Sequence, residues 1–208
     1  LINLVALFPN HLDLNGDQAN LKVAKKRLEW LGYEVKISAI DKGQLIPLDA
    51  DFIFLGHGSM AAWADLEDEL EQIAPQLEEF IARGTAFMAV ASGYERAIAQ
   101  GLFDGSLEST ERVSKFEVVD LDGTEVLGYL NVSSKAPYIQ RQGLTLGTQL
   151  HGPIFSKNPK LVDEYFADIV AAKGESVSPA PKSSSKNIEL ISQIVDSVWK
   201  LERDLASE

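Results

Sequence analysis

The chain has 208 residues and an apolar content of 45%, so one globular domain with a full core is the simplest reading. Its formal net charge of −12 argues against nucleic acid as the main partner, because phosphate binding needs an excess of Lys and Arg. The absence of cysteine removes disulfides, thiolate metal sites and thiol nucleophiles together, and fits a cytoplasmic protein.

The chain opens in "INLVALF", a continuous apolar strand of the kind found where both faces of a sheet are covered. The run is already under way at Leu1, which implies that a few residues precede it. No signal-peptide pattern opens the sequence, and no apolar run has the length of a membrane span. In "NGDQANLKVAKKRLEWLGYEV", Leu21, Ala24, Leu28 and Leu31 recur at helical spacing, with Asp17 suited to the first turn and Gly32 to the stop. "YEVKISAI" and "DFIFLG" read as strands two and three. "DLEDELEQIAPQLEEFIARG" reads as a long acidic helix, kinked or broken near Pro75. "TAFMAV" is a fourth strand, and a short helix follows from Tyr94 to Gln100.

Strict alternation of strand and helix implies parallel strands with right-handed crossovers: a flavodoxin-like, doubly wound α/β sheet. Ligands on such sheets lie beyond the C-terminal ends of the strands, here after Phe8, Leu55 and Val90. From about Phe103 the pattern becomes antiparallel. "SKFEVVDLDGTEVLGYLNV" reads as a hairpin turning at "LDGT", and "YIQRQGLTLGTQL" as further strands. "NPKLVDEYFADIVAAKG" is a helix opened by Asn158 and Pro159. The expected organisation is a domain over 1–174, a Pro/Ser linker over 175–187, and a C-terminal amphipathic helix over 188–208. Ile188, Ile191, Ile194, Val195, Val198 and Leu201 share one stripe of that helix, which packs back on the domain or docks on a partner. Trp63 reads as exposed and as another candidate contact.

Three segments carry candidate chemistry. "LGHGSMA", after the third strand, has Gly-rich spacing but lacks the context of a dinucleotide fingerprint; its glycines let backbone N–H groups approach a ligand. "AVASGYE" is strand, tight turn and helix. It is either an ordinary β–α turn or an elbow exposing one side chain beside N–H donors. In "GTQLHGPIFSKNP", His151 follows a strand and precedes Gly-Pro, on an exposed loop where it is a structural group or a general base. His11, His57 and His151 lie far apart without ligand spacing, and no GxxxxGK[ST] pattern occurs, so neither metal nor cofactor is expected.

Taken in order, these segments resemble the class I glutamine amidotransferases of the cobyric-acid-synthase-like branch. "AVASGYE" resembles that branch's "CGGYQ" elbow, and "GTQLHGPIFSKNP" its catalytic-histidine segment "GTYLHGP…NP". The opening "FPNHLDLNGDQANLKVAKKRLEWLGYEV" resembles its "NxYGDxGN" helix and "RGxxV" strand, and "DFIFLGHGS" its "DxxxxGGGS" oxyanion loop. Within the branch, the chain is most similar to the GatD-type subunit of lipid II isoglutaminyl synthase, which works with a Mur-ligase-like subunit. The resemblance implies that an elbow thiolate attacks glutamine, a histidine moves protons, and ammonia passes to a synthetase partner. Carried over, Ala91 stands at the nucleophile position and His151 at the base. Gly56, His57 and Gly58 form the oxyanion loop, and Ser92, Gly93, Tyr94 and Glu95 complete the pocket.

The departures from that pattern are specific. Ala91 carries a methyl group where covalent catalysis needs a thiolate, and Ser92 is one residue late to replace it. His57 stands where the oxyanion loop has its middle glycine. Met60, Ala61, Ala62 and Trp63 replace polar residues, and "GFENHxG" becomes "GYLNVSS". A deliberate Cys→Ala exchange leaves the surroundings intact, so natural loss of glutaminase activity is the reading favoured here. On that reading the chain is a non-catalytic subunit or binding module, tied to a Mur-ligase-like partner in cell-wall amidation. The alternatives are a genuine glutaminase subunit whose cysteine was replaced, and an enzyme of other chemistry using His151 with Ser92 or Tyr94.

Overall fold

The computed structural model describes residues 1–174 and 182–206. Five strands build the centre of the molecule: β1 (Ile2–Leu7), β2 (Val35–Ile40), β3 (Phe52–Leu55), β4 (Ala86–Val90) and β8 (Thr145–Thr148). They run parallel, and β7 (Ile139–Gln142) closes one edge antiparallel to β8, giving the order β2-β1-β3-β4-β8-β7. The pleat sends alternate side chains to two cores. Leu4, Ala6, Phe52, Phe54, Met88 and Val90 meet α1 (Ala19–Trp30) and α5 (Pro159–Ala172) on one face. Val5, Leu7, Ile53, Leu55, Phe87 and Ala89 meet α2 (Met60–Ala82) and α3 (Ser92–Ala99) on the other. The doubly wound sheet and its antiparallel additions are therefore as the sequence predicts.

Two helices differ from expectation. Despite Pro75, α2 is one helix of 23 residues. Pro75 is exposed, so the carbonyl it leaves unpaired one turn earlier faces water, while Ile73, Ala74 and Leu77 stay buried on the other side. Helix α1 starts at Ala19 rather than at Asp17, whose carboxylate is turned inward and fully buried. Its stop is as expected, with Gly32 at φ 93° just past the C-cap Leu31.

A second sheet has the order β5-β6-β9, from β5 (Ser109–Leu121), β6 (Thr124–Ser134) and β9 (Leu150–His151). Asp122 and Gly123, both at positive φ, make the tight turn between β5 and β6. The buried Asn158 does not cap α5. It binds Leu127 N–H at 2.8 Å and the Leu127 and Ile154 carbonyls, tying the short helix α4 (Ile154–Lys157) to β6.

The C-terminal helix α6 runs over Lys182–Ala206, so it begins within the stretch expected as linker; 175–181 lie outside the described residues. It lies against β5 and α4. Val195 is buried there, Trp199 Nε1–H donates to the Lys157 carbonyl at 2.5 Å, and Lys157 pairs with Glu202 at 2.7 Å. Ile194 and Leu201 of the expected stripe remain exposed beside Leu190 and Leu205. Among the described residues no helix is long and apolar enough to cross a membrane.

Candidate active site

β4 ends at Val90 and α3 begins at Ser92, so Ala91 alone turns the chain, at φ 48° and ψ −121°. That conformation is strained for a residue with a Cβ and persists only where the surroundings hold it. Ala91 N–H donates to the Thr148 carbonyl on β8 at 2.7 Å. Gly93 lies so close to the loop after β3 that a Cβ would stand 2.3 Å from the Gly56 oxygen. The corner is thus a strained turn held in place by its neighbours. Its side chain is sealed: Ala91 is 1% exposed.

After β3, Gly56, His57 and Gly58 lead into α2, where the Ser59 hydroxyl accepts Ala62 N–H at 3.1 Å. The glycines are required by the segment after β1. A Cβ on Gly56 would lie 2.3 Å from the Leu12 carbonyl oxygen, and one on Gly58 2.5 Å from Leu12 Cδ2. His57 Nδ1 sits 2.7 Å from Ser92 Oγ and accepts Ser92 N–H at 3.3 Å. Ser92 Oγ also accepts Gly58 N–H at 3.1 Å and Trp63 Nε1–H at 2.7 Å. Trp63 is therefore 3% exposed and part of the site, which corrects the expectation of a surface residue.

His151 is not on an exposed loop. It is half-buried in β9, paired with Tyr129 of β6. Its ring stands edge-on to that of His57 with centroids 4.8 Å apart, and the Asn15 amide fixes its Nδ1 at 2.7 Å. Burial, with the facing His151, pulls His57 down to about 4, against the opposing pull of Glu95. Burial also lowers His151, opposed by the Asn131 backbone and Glu95. Both rings are thus held towards their neutral forms.

Asp17 joins the loops behind these rings. Its Oδ2 accepts His57 N–H at 3.1 Å, while Oδ1 has no partner among the described residues. Burial raises its carboxyl to about 6, with Asp13 adding to the rise and the His57 and Gly152 backbones opposing it. Asp17 and Asn15 are site residues that reasoning from sequence missed, whereas Trp63 is among the altered pocket residues read from sequence, but without its bond to Ser92. For Asp17 a signal existed, since it stands within the "NGDQAN" segment of the resemblance, yet it reads locally as a helix start.

The cleft in front has a volume of about 590 Å³ and is lined by His57, Ser92, Glu95, Trp63, Met60 and Leu107 among others. Glu95 Oε1 accepts from Ser134 Oγ at 2.7 Å and Gln149 Nε2 at 3.2 Å. Arg96 lies over the Trp63 ring at 5.7 Å, and Met60 is 90% exposed at the mouth. Tyr94, expected in the pocket, is instead fully buried edge-on to Phe103, with its hydroxyl bound to Gln140. The fold brings His57, Ser92, Glu95 and His151 into one neighbourhood, leaving Ala91 beneath it and Tyr94 in the core. Among the described residues, no cluster of His, Asp and Glu could hold a metal ion.

No protein-family model matches the chain. It is 26% identical over 222 residues to the GatD subunit of the glutamine-hydrolysing lipid II isoglutaminyl synthase of Staphylococcus aureus strain N315, covering 89% of this chain and 91% of that protein. Among solved structures, a glutamine amidotransferase from Thermotoga maritima superposes with a TM-score of 0.50 at 13% identity, covering 96% of this chain and 97% of that one. A second glutamine amidotransferase gives 0.50 at 18% identity, over 79% and 98% of the two chains. PurLQS from Thermotoga maritima gives 0.55 at 15% identity, over 82% and 98%. The chain thus shares the fold of solved glutamine amidotransferases and is similar in sequence, over most of its length, to a GatD subunit.

Proposed function

We propose that the chain is a GatD-like subunit that no longer hydrolyses glutamine, and that it binds a Mur-ligase-like synthetase in cell-wall amidation. The observation that carries the reading is the elbow itself: Ala91 occupies the strained corner at φ 48°, and a methyl group stands where the reaction needs a nucleophile. Glutamine hydrolysis by this route needs a thiolate that adds to the side-chain amide carbon while the carbonyl π electrons move to oxygen. Collapse then expels the nitrogen, protonated by the histidine, as ammonia, and water cleaves the resulting thioester. Ala91 has no atom that can begin this sequence. Replacement of polar residues by Met60, Ala61, Ala62 and Trp63 at the start of α2 supports weakened substrate contacts as well. The similarity to a synthase subunit supports a synthetase partner.

The test is ammonia release from glutamine by the unmodified chain, alone and with a Mur-ligase-like subunit, together with co-elution of the two proteins. Binding without ammonia is the expected result. Ammonia above background overturns the reading.

A second reading is favoured by one observation: the elbow strain and the fixed ring of His151 are retained although no nucleophile uses them. It makes the chain a genuine glutaminase subunit whose cysteine was exchanged for Ala91. A Cys codon at position 91 of the source gene supports it, and an Ala codon ends it.

A further inference from the structure

We infer that the site carries a second block, independent of the missing thiol: His57 and Ser92 occupy both backbone donors that an amide-hydrolysing elbow needs for its oxyanion. The inference rests on the reading of Ala91 as the nucleophile position and deepens it.

In an elbow of this shape, one oxyanion donor is the N–H of the residue after the nucleophile, and the other comes from a neighbouring loop. Here the first is Ser92 N–H; in the loop after β3, His57 N–H is turned away to Asp17, so the loop donor on the side of the corner is Gly58 N–H. Ser92 N–H donates to His57 Nδ1 at 3.3 Å, and Gly58 N–H donates to Ser92 Oγ at 3.1 Å. Each side chain thus covers a donor, and the two side chains bind each other at 2.7 Å.

Counting donors and acceptors shows how complete the clasp is. A hydroxyl has two lone pairs and one proton. Gly58 N–H and Trp63 Nε1–H take both lone pairs of Ser92 Oγ. Its proton goes to His57 Nδ1, or to the Gly58 carbonyl at 3.2 Å. Because Ser92 N–H needs an acceptor on the same nitrogen, Nδ1 is unprotonated and the neutral ring carries its proton on Nε2. His57 stays neutral in this role at ordinary pH, since burial and the facing His151 disfavour its cation. The same count removes Ser92 as a substitute nucleophile, because attack needs a lone pair and the two N–H groups already hold both.

Both covering side chains stand where the resembling pattern has glycine, at the middle of "GGG" and after the nucleophile in "CGGYQ". Reversal to glycine therefore uncovers the donors. Loss of a single oxyanion donor costs about 10²–10³-fold in kcat. A thiol introduced behind two covered donors gains little.

The experiment compares Ala91→Cys with Ala91→Cys/His57→Gly/Ser92→Gly, each confirmed as folded by circular dichroism, for ammonia release from glutamine. The triple variant is expected to be faster by at least about 10²-fold. A folded triple variant no faster than the single one overturns the inference, while a silent unmodified chain leaves the preceding reading standing. Ammonia from the unmodified chain strikes that reading instead. If the triple variant fails to fold, imidazole ¹⁵N shifts of His57 in the unmodified chain decide. An unprotonated Nδ1 that shifts in Ser92→Gly is expected, and a protonated Nδ1 overturns the inference.

Discussion

Replacing Asp17 by asparagine removes a negative charge from the centre of the site and leaves its shape. The carboxyl is fully buried, and its pKa rises from 3.8 to about 6. In the unfolded chain Asp17 ionises near its ordinary value, so between about pH 4 and pH 6 the native state holds a proton that the unfolded state has lost. Stability from this group is fully present below about pH 4 and is lost as pH rises through about 6. The shift corresponds to about 3 kcal/mol. The side-chain amide in Asp17→Asn cannot ionise, so the variant does not lose this stability. Any constant cost from the new amide nitrogen, which takes the place of the unpartnered Oδ1, is the same at every pH. Urea unfolding of both proteins, followed by tryptophan fluorescence from about pH 4 to about pH 8, measures the difference directly. The variant should gain on the parent by roughly 2.4 kcal/mol between about pH 4 and pH 7, the rest of the shift lying below pH 4. A difference independent of pH refutes the reasoning. His57, whose pKa is lowered to about 4, acts in the opposite sense: its stability is present above its ordinary value of 6.5 and is lost as pH falls through about 4.

Two further substitutions test the packing around this centre and the docking of the last helix. Ala91→Gly relieves the positive φ at the elbow and should stabilise the fold by about 1 kcal/mol in urea unfolding; a loss of stability contradicts the strain argument. Trp199→Phe removes the donor to the Lys157 carbonyl and should speed amide exchange along α6 while leaving β4 protected; unchanged exchange in α6 contradicts docking through that bond.

The doubly wound sheet is legible in the sequence because β3 and β4 are continuous apolar runs, β1 is apolar but for Asn3, and the helices between them repeat at helical spacing. The site is legible only where backbone geometry follows from local sequence. Small residues after β4 announce the corner, and glycines after β3 announce the loop. Asp17 and Trp63 escape such reasoning because their roles depend on contacts 40 and 29 residues away, with His57 and Ser92. An Asp before a helix and a Trp in its first turn carry no local mark of such partners. The setting of His151 is hidden for the same reason: a strand of two residues exists only because β6 lies beside it.

Ala91 keeps a costly backbone conformation, and the packing accounts for its persistence. Gly93 fits only with its Cα against the Gly56 oxygen, and the Tyr94 ring fills space that a Cβ on Gly147 would invade at 2.2 Å. Moving Ala91 to a relaxed conformation would shift both residues and break the Thr148 contact on β8. The same turn aims Ser92 at His57, Gly58 and Trp63, where its hydroxyl joins the corner to the loop after β3 and to α2. The strain that would serve catalysis in an elbow with a thiol here holds β3, β4 and α2 in register around a closed corner.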